Sequence, residues 1–223
     1  RIDDRGSTNG IYVDSQAVGH ALLSNGVPIQ LGHSIMKIEY KNEAEIQAEE
    51  NLLYKASFDS LTGIFNRHHF IKLAGMEIAY ASRHKLPVGI MMMDIDNFKQ
   101  VNDQYGHLAG DSVLSQFSNI VIENKRTEDL FARYGGEEFI CMPRGEVDKE
   151  LMYIQCERIR KAIENYDFHF DKTSIRITAS IGFHIKKVES VDIESVLYDM
   201  ILKADEALYL AKKQGKNRTE TSP

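Results

Sequence analysis

Cysteine is scarce in this sequence. Its 223 residues hold two, Cys141 and Cys156, with no CxxC pair and no Cys/His cluster at zinc spacing. A disulfide scaffold of this size needs more, so both thiols are expected to be reduced, in a cytoplasmic setting. Long apolar runs are missing too. The longest, Val88-Gly89-Ile90-Met91-Met92-Met93, is far short of the roughly 20 residues of a membrane helix and has the length of a buried strand. Positive charge is also in deficit: 27 Lys and Arg against 33 Asp and Glu leave a formal charge of -6. A nucleic-acid binder would more often be basic, so no nucleic-acid partner is expected. A phosphate-bearing substrate would need local lysines and bound metal to overcome that field. What remains is ordinary for a globular chain, with 43% hydrophobic and 27% charged residues, enough to bury a core in one or two domains.

Residues 1–40 read as all-β. Ile11-Tyr12-Val13, Val27-Pro28-Ile29-Gln30-Leu31 and Ile35-Met36-Lys37-Ile38 are short apolar pieces between turn signals at Gly6-Ser7-Thr8-Asn9-Gly10, Ser24-Asn25-Gly26 and Leu31-Gly32-His33. So short a β segment is marginal by itself, and the earlier part of a β domain is expected to precede it. From Asn42 to Ser57 the composition turns to Glu, Ala, Gln, Leu and Lys without Gly or Pro, a helix composition. The spacing of Ile46, Leu53 and Ala56 fits a coiled-coil seam and a solvated connector helix equally well. Beyond Phe58, helix-like stretches at 67–84, 110–124, 147–165 and 193–213 alternate with strand-like ones at 87–95, Leu130–Tyr134, Phe139–Met142 and 174–186. Such alternation predicts helices packed on a mixed sheet, an α/β or α+β domain. In the last helix Val196, Leu197, Met200, Ile201, Ala204, Leu208 and Ala211 form one apolar stripe.

Two acidic clusters stand out. Met93-Asp94-Ile95-Asp96-Asn97-Phe98-Lys99 follows the apolar strand directly, and strand ends commonly carry ligand groups in open sheets. If the strand continues, Asp94 and Asp96 share a face and point at one ion. Tyr134-Gly135-Gly136-Glu137-Glu138-Phe139 reads as a hairpin with a Gly-Gly connection, where a backbone can approach a ligand closely. Taken singly, each is more simply a polar strand end or a charged hairpin. Together they suit a hard cation that takes carboxylates from separate elements and leaves positions for phosphate oxygens, with Lys99 as a point charge.

Ordered stretches from Phe58 to Arg218 carry a family resemblance. They are Asp59-Ser60-Leu61-Thr62-Gly63-Ile64-Phe65-Asn66-Arg67, Asp94 through Asp103, Gly106-His107-Leu108-Ala109-Gly110-Asp111, Arg133 through Phe139, Thr178-Ala179-Ser180-Ile181-Gly182, Ala204-Asp205-Glu206-Ala207-Leu208-Tyr209 and Lys212 through Arg218. The chain resembles GGDEF-domain diguanylate cyclases, and residues 4–13 with 23–32 resemble the last half of a forkhead-associated (FHA) domain. The resemblance implies a palm-like α/β domain at 58–223, behind a partial FHA segment at 1–40 and a linker helix at 41–57.

The activity implied is condensation of two GTP into cyclic di-GMP by a homodimer. Asp94, the carbonyl of Ile95, Glu137 and Glu138 would hold Mg²⁺ or Mn²⁺; Glu137, Glu138 and Lys99 would be catalytic. Asn102 and Asp111 match the guanine-recognising pair, His107 lies in the same pocket region, Gly135 and Gly136 border the nucleotide, and Lys99, Lys212 and Lys216 match triphosphate contacts. Arg126-Thr127-Glu128-Asp129 matches the RxxD site at which cyclic di-GMP inhibits many members, through its arginine and aspartate. A complete FHA domain would bind a phosphothreonine peptide. The competing expectations are a non-catalytic module that binds GTP or cyclic di-GMP and signals to a partner, and an enzyme making another cyclic dinucleotide.

Overall fold

The structure, a computed structural model, describes residues 1–145, 147–189 and 192–222. It divides into two compact units, Arg1–Leu53 and Tyr54–Pro223.

The first unit contains β1 (Ile2–Asp3), β2 (Ile11–Val13), β3 (Gln16–Val18), β4 (His20–Ala21), β5 (Pro28–Leu31) and β6 (Ser34–Lys37). The order β3-β2-β5-β6 makes an antiparallel sheet, and β1 pairs with β4. Ile11 and Ile29 are its buried apolar side chains, while Ile35 and Met36 on β6 face solvent. Helix α1 (Glu43–Ser57) begins at a capping box: Asn42 Oδ1 accepts from the Glu45 amide at 2.9 Å and Glu45 Oε2 from the Asn42 amide at 2.9 Å. No residue of α1 is buried, and Ile46 and Leu53 of the suspected seam are both exposed.

The second unit continues with β7 (Phe65–Asn66), α2 (Arg67–His84), β8 (Pro87–Ile95), α3 (Phe98–Tyr105), α4 (His107–Asn124), β9 (Leu130–Gly135), β10 (Glu138–Met142) and α5 (Lys149–Asn165). Then come β11 (Phe168–Phe170), β12 (Thr173–Ile175), β13 (Ala179–Lys187), α6 (Ile193–Lys213) and β14 (Thr219–Thr221). Six strands form one mixed sheet, β14-β13-β8-β10-β9-β7, with the outer pairs β14–β13 and β9–β7 parallel and the rest antiparallel. The expected mixed sheet flanked by helices is what forms.

Alternation along β8 assigns each side. Met91, Met93 and Ile95 join the core under α3, α4 and α5, whereas Ile90 and Met92 join the core under α2 and α6. Each of these fully buried side chains contributes about 1.5–3 kcal/mol. The apolar stripe of α6 is buried as its spacing requires. Helix and strand approach closely there: a Cβ on Gly182 of β13 would lie 2.0 Å from the Leu208 amide and 2.4 Å from the Ala204 carbonyl. Cys141 and Cys156 are both free and buried, and burial pushes both thiols up, which leaves them unreactive.

Several expectations need correction. Residues 98–105 form a helix where none was expected, and α4 starts at His107 rather than Gly110, which puts His107 in its first turn. The strands expected over 174–186 are two, β12 and β13, separated at 176–178. The hairpin connection is Gly136-Glu137 instead of Gly135-Gly136, because β9 runs to Gly135 and β10 begins at Glu138.

Candidate active site

The sheet topology brings the two acidic clusters together. β8 and β10 are neighbours, and Glu138 lies directly across from Asp94, with the Ile95 amide 3.4 Å from the Glu137 carbonyl. Asp94 is 5% exposed. Burial pushes its carboxyl up to about 6, a shift that Lys212 opposes and the charges of Glu137 and Glu138 reinforce. Lys212, in the last turn of α6, places its Nζ 2.7 Å from Asp94 Oδ2. Lys216, just beyond the helix, donates to Asn97 Oδ1.

Asp96 does not join Asp94. The strand stops at Ile95, and the Asp96 carboxylate, also 5% exposed, is fully engaged with the protein. It accepts from Thr178 Oγ1 and Ser180 Oγ, both at 2.7 Å, and from the Asn217 amide at 3.0 Å. Its work is to tie the end of β8 to β13 and to the loop that follows α6. The DxD spacing marked the residue, but its role is structural.

Lys99 is exposed in the first turn of α3. Asn102 sits on the same helix, half-buried against α4, and its Oδ1 lies where a Cβ on Gly110 would be 2.0 Å away. His107 and Asp111 are one turn apart on the exposed side of α4. Gly136 is held by Arg133, whose Nε donates to its carbonyl at 2.8 Å.

A divalent ion fits this donor set. Among the described residues no three His, Cys, Asp or Glu side chains form a ready-made cage. Magnesium does not require one, since it is commonly held by one or two carboxylates with water and substrate phosphate completing its shell. Asp94 from one strand and the glutamates of the next supply that minimum.

Arg126 and Asp129 lie away from this cluster, at the turn between α4 and β9. Asp129 is buried, and its oxygens accept from the amides of Arg126 and Arg144, each at 3.0 Å, and from Gln155 Nε2 at 2.9 Å. Arg126 lines a cavity of about 210 Å³ together with Gln155 and Arg158. Arg158 was not singled out in the sequence, because nothing local links α5 to the RxxD turn.

The family model for "Diguanylate cyclase, GGDEF domain" matches residues 56–218. Diguanylate cyclase A of Treponema denticola is 38% identical over 175 residues, 77% of this chain and 46% of that protein. The chain thus spans about half the length of that curated relative. Among solved structures, the coiled coil and GGDEF domain of DgcB from Caulobacter crescentus, in complex with c-di-GMP, superimposes with a TM-score of 0.73 at 26% identity. The match covers 81% of this chain and 93% of that one. The active GGEEF domain of a diguanylate cyclase from Vibrio cholerae gives 0.64 at 29% identity, covering 71% and 97%. With its palm-like mixed sheet and its Gly135-Gly136-Glu137-Glu138-Phe139 hairpin beside Asp94, the chain belongs to the GGDEF-domain diguanylate cyclase family.

Proposed function

We propose that this protein is a diguanylate cyclase that condenses two GTP into cyclic di-GMP and two pyrophosphates. The observation that carries the reading is the meeting of Asp94, the Glu137-Glu138 turn and Lys212 at one end of the sheet. Asp94, the Ile95 carbonyl, Glu137 and Glu138 would hold Mg²⁺ or Mn²⁺. When bound, the ion supplies a lowered pKa at the attacking hydroxyl and charge neutralisation at the leaving pyrophosphate.

The remaining work belongs to the chain. Asp111 accepts from guanine N1–H and N2–H₂, Asn102 satisfies N3 or O6, and His107 borders the same pocket. Gly135 and Gly136 allow the backbone to approach the nucleotide, and Lys99, Lys212 and Lys216 attract the triphosphate. The 3′-hydroxyl of one GTP attacks the α-phosphate of the other while its proton passes to a carboxylate of the Glu137-Glu138 pair. The bond between α- and β-phosphates breaks and pyrophosphate leaves. One domain holds one GTP, so closing the ring takes two copies face to face, a homodimer.

Within the same reading, Arg126 and Asp129 form a product-inhibition site: Arg126 and Arg158 line its cavity, and Asp129, which does not line it, holds the Arg126 amide. The domains are a partial FHA segment at 1–40 that regulates the enzyme and in complete form would take a phosphothreonine peptide, a linker helix at 41–57 and the cyclase at 58–223. The protein acts in the cytoplasm; among the described residues no helix is long and apolar enough to cross a membrane.

Incubation of purified protein with GTP and Mg²⁺, with ATP as control and product identified by mass, tests the proposal. Cyclic di-GMP is expected, and Glu137→Ala is expected to abolish it. GTP binding without turnover would instead indicate a signalling module, and a different mass another cyclic dinucleotide. Undiminished product from Glu137→Ala would overturn the assignment.

A further inference from the structure

Lys212 is read above as a triphosphate contact, yet its ammonium is committed to Asp94, at 2.7 Å. The Asp94 side chain is almost wholly buried, while that of Lys212 is about one-third exposed, at 8% and 35%. Asp94 also feels Glu137 and Glu138. Crowding three carboxylates at a strand end without a cation is costly, because like charges repel and the buried member lacks water. Among the described residues Lys212 is the one cation with an ion pair to any of the three. Lys216 does not share the task, since its Nζ is on Asn97. One turn before Lys212 the helix rests directly on the sheet, since a Cβ on Gly182 would lie 2.0 Å from the Leu208 amide. The C-terminal end of that helix also favours a cation in its own right, so the ammonium has somewhere to rest when it leaves Asp94.

We propose that Lys212 is a tethered stand-in for the divalent ion: it neutralises the acidic cluster before metal arrives, is displaced from Asp94 by the metal, and is thereby released to the triphosphate. This inference rests on the metal site proposed above. Its consequence is a competition. Metal alone must evict Lys212 and so binds weakly, whereas metal with nucleotide binds well because the triphosphate receives the displaced ammonium. The cluster is thereby kept from filling with metal that has no nucleotide to act on.

The test is Mn²⁺ binding in the absence of nucleotide, followed by electron paramagnetic resonance of free Mn²⁺ or by calorimetry. The proteins compared are the parent, Lys212→Met, Lys212→Gln and the charge-matched control Lys213→Met, whose lysine is exposed at the next position. Both Lys212 variants are expected to bind Mn²⁺ about tenfold more tightly than the parent, and Lys213→Met like the parent. A non-hydrolysable GTP analogue is expected to tighten Mn²⁺ binding to the parent more than to either Lys212 variant. Parent binding accompanied by equal or weaker binding in both Lys212 variants overturns the stand-in role and leaves the metal site intact. A parent that takes up no Mn²⁺ with or without the analogue overturns the metal site, and the inference with it.

Discussion

Arg133 clasps Asp59 across 74 residues of sequence: its Nη1 lies 3.3 Å from Asp59 Oδ1 while its Nε holds the Gly136 carbonyl at 2.8 Å. One guanidinium therefore joins the turn that opens the cyclase unit to the hairpin that carries Glu137. Asp59 is further fixed by the Thr62 amide at 2.9 Å and the Thr62 hydroxyl at 2.7 Å. Burial alone would push its carboxyl up, but those bonds and the Arg133 charge hold it below the usual carboxylate range.

Removing the clasp is expected to affect both stability and turnover. Arg133→Ala leaves a half-buried carboxylate without its counter-ion and should cost about 1–3 kcal/mol, read by denaturant unfolding. Turnover should fall further than GTP affinity, since the hairpin loses its fixed carbonyl. Arg133→Lys, which keeps the charge but not the fork, should recover more of the stability than of the turnover. Equal recovery of both would show that the clasp has no part in placing the hairpin.

Asp94 sets a pH dependence whose sign follows from its raised value of about 6. The folded chain holds this proton to a higher pH than the unfolded chain, whose carboxyl titrates near 3.8. Stability in metal-free buffer is therefore lost as pH rises through that window. Asp94→Asn removes the buried charge and should raise the unfolding free energy at neutral pH by on the order of 1–2 kcal/mol, after discounting the lost Lys212 pair. The gain should vanish near pH 4 on thermal melts, while cyclase activity is lost at every pH. A variant less stable than the parent at neutral pH would contradict this account of the site.

In the proposed guanine pocket, the bare Gly110 makes room for Asn102. A methyl group there would meet Asn102 Oδ1 at 2.0 Å and Phe98 Cζ at 3.2 Å, so Gly110→Ala must push Asn102 out of place. The expected outcome is a rise in KM for GTP of about tenfold, the loss of roughly one hydrogen bond, with a smaller change in kcat. An unchanged KM would remove Asn102 from guanine recognition.

Two guanidiniums at the proposed inhibitory cavity should act together. Arg126→Ala and Arg158→Ala are each expected to raise the cyclic di-GMP concentration needed for half-inhibition by about tenfold or more, as the loss of one charged hydrogen-bond donor would. Asp129→Ala should instead lower stability, because three donors lose their acceptor. Full product sensitivity in both arginine variants would exclude the cavity.

The features legible in the sequence were those whose signal is local and repeated. The apolar run of β8, the stripe of α6 and the Gly-Gly-Glu-Glu turn could each be read from neighbouring residues. Helix α3 was not, because it has eight residues, buries Phe98 and Val101, and starts at Asn97, a left-handed residue with no side-chain cap bond. Strand β14 is three polar residues that form a strand only by pairing with β13. Within the site, the DxD spacing pointed to both aspartates alike, and only the family resemblance singled out Asp94. What divides them is distant: Thr178, Ser180 and Asn217 saturate Asp96, and Lys212 takes Asp94.

The missing side chain at position 182 has a mechanical meaning. With no Cβ between them, α6 rests directly on the backbone of β13 one turn before Lys212. Any larger residue at 182 would lift that helix and with it the root of the Lys212 side chain, so the Lys212–Asp94 contact depends on the bareness of a third position.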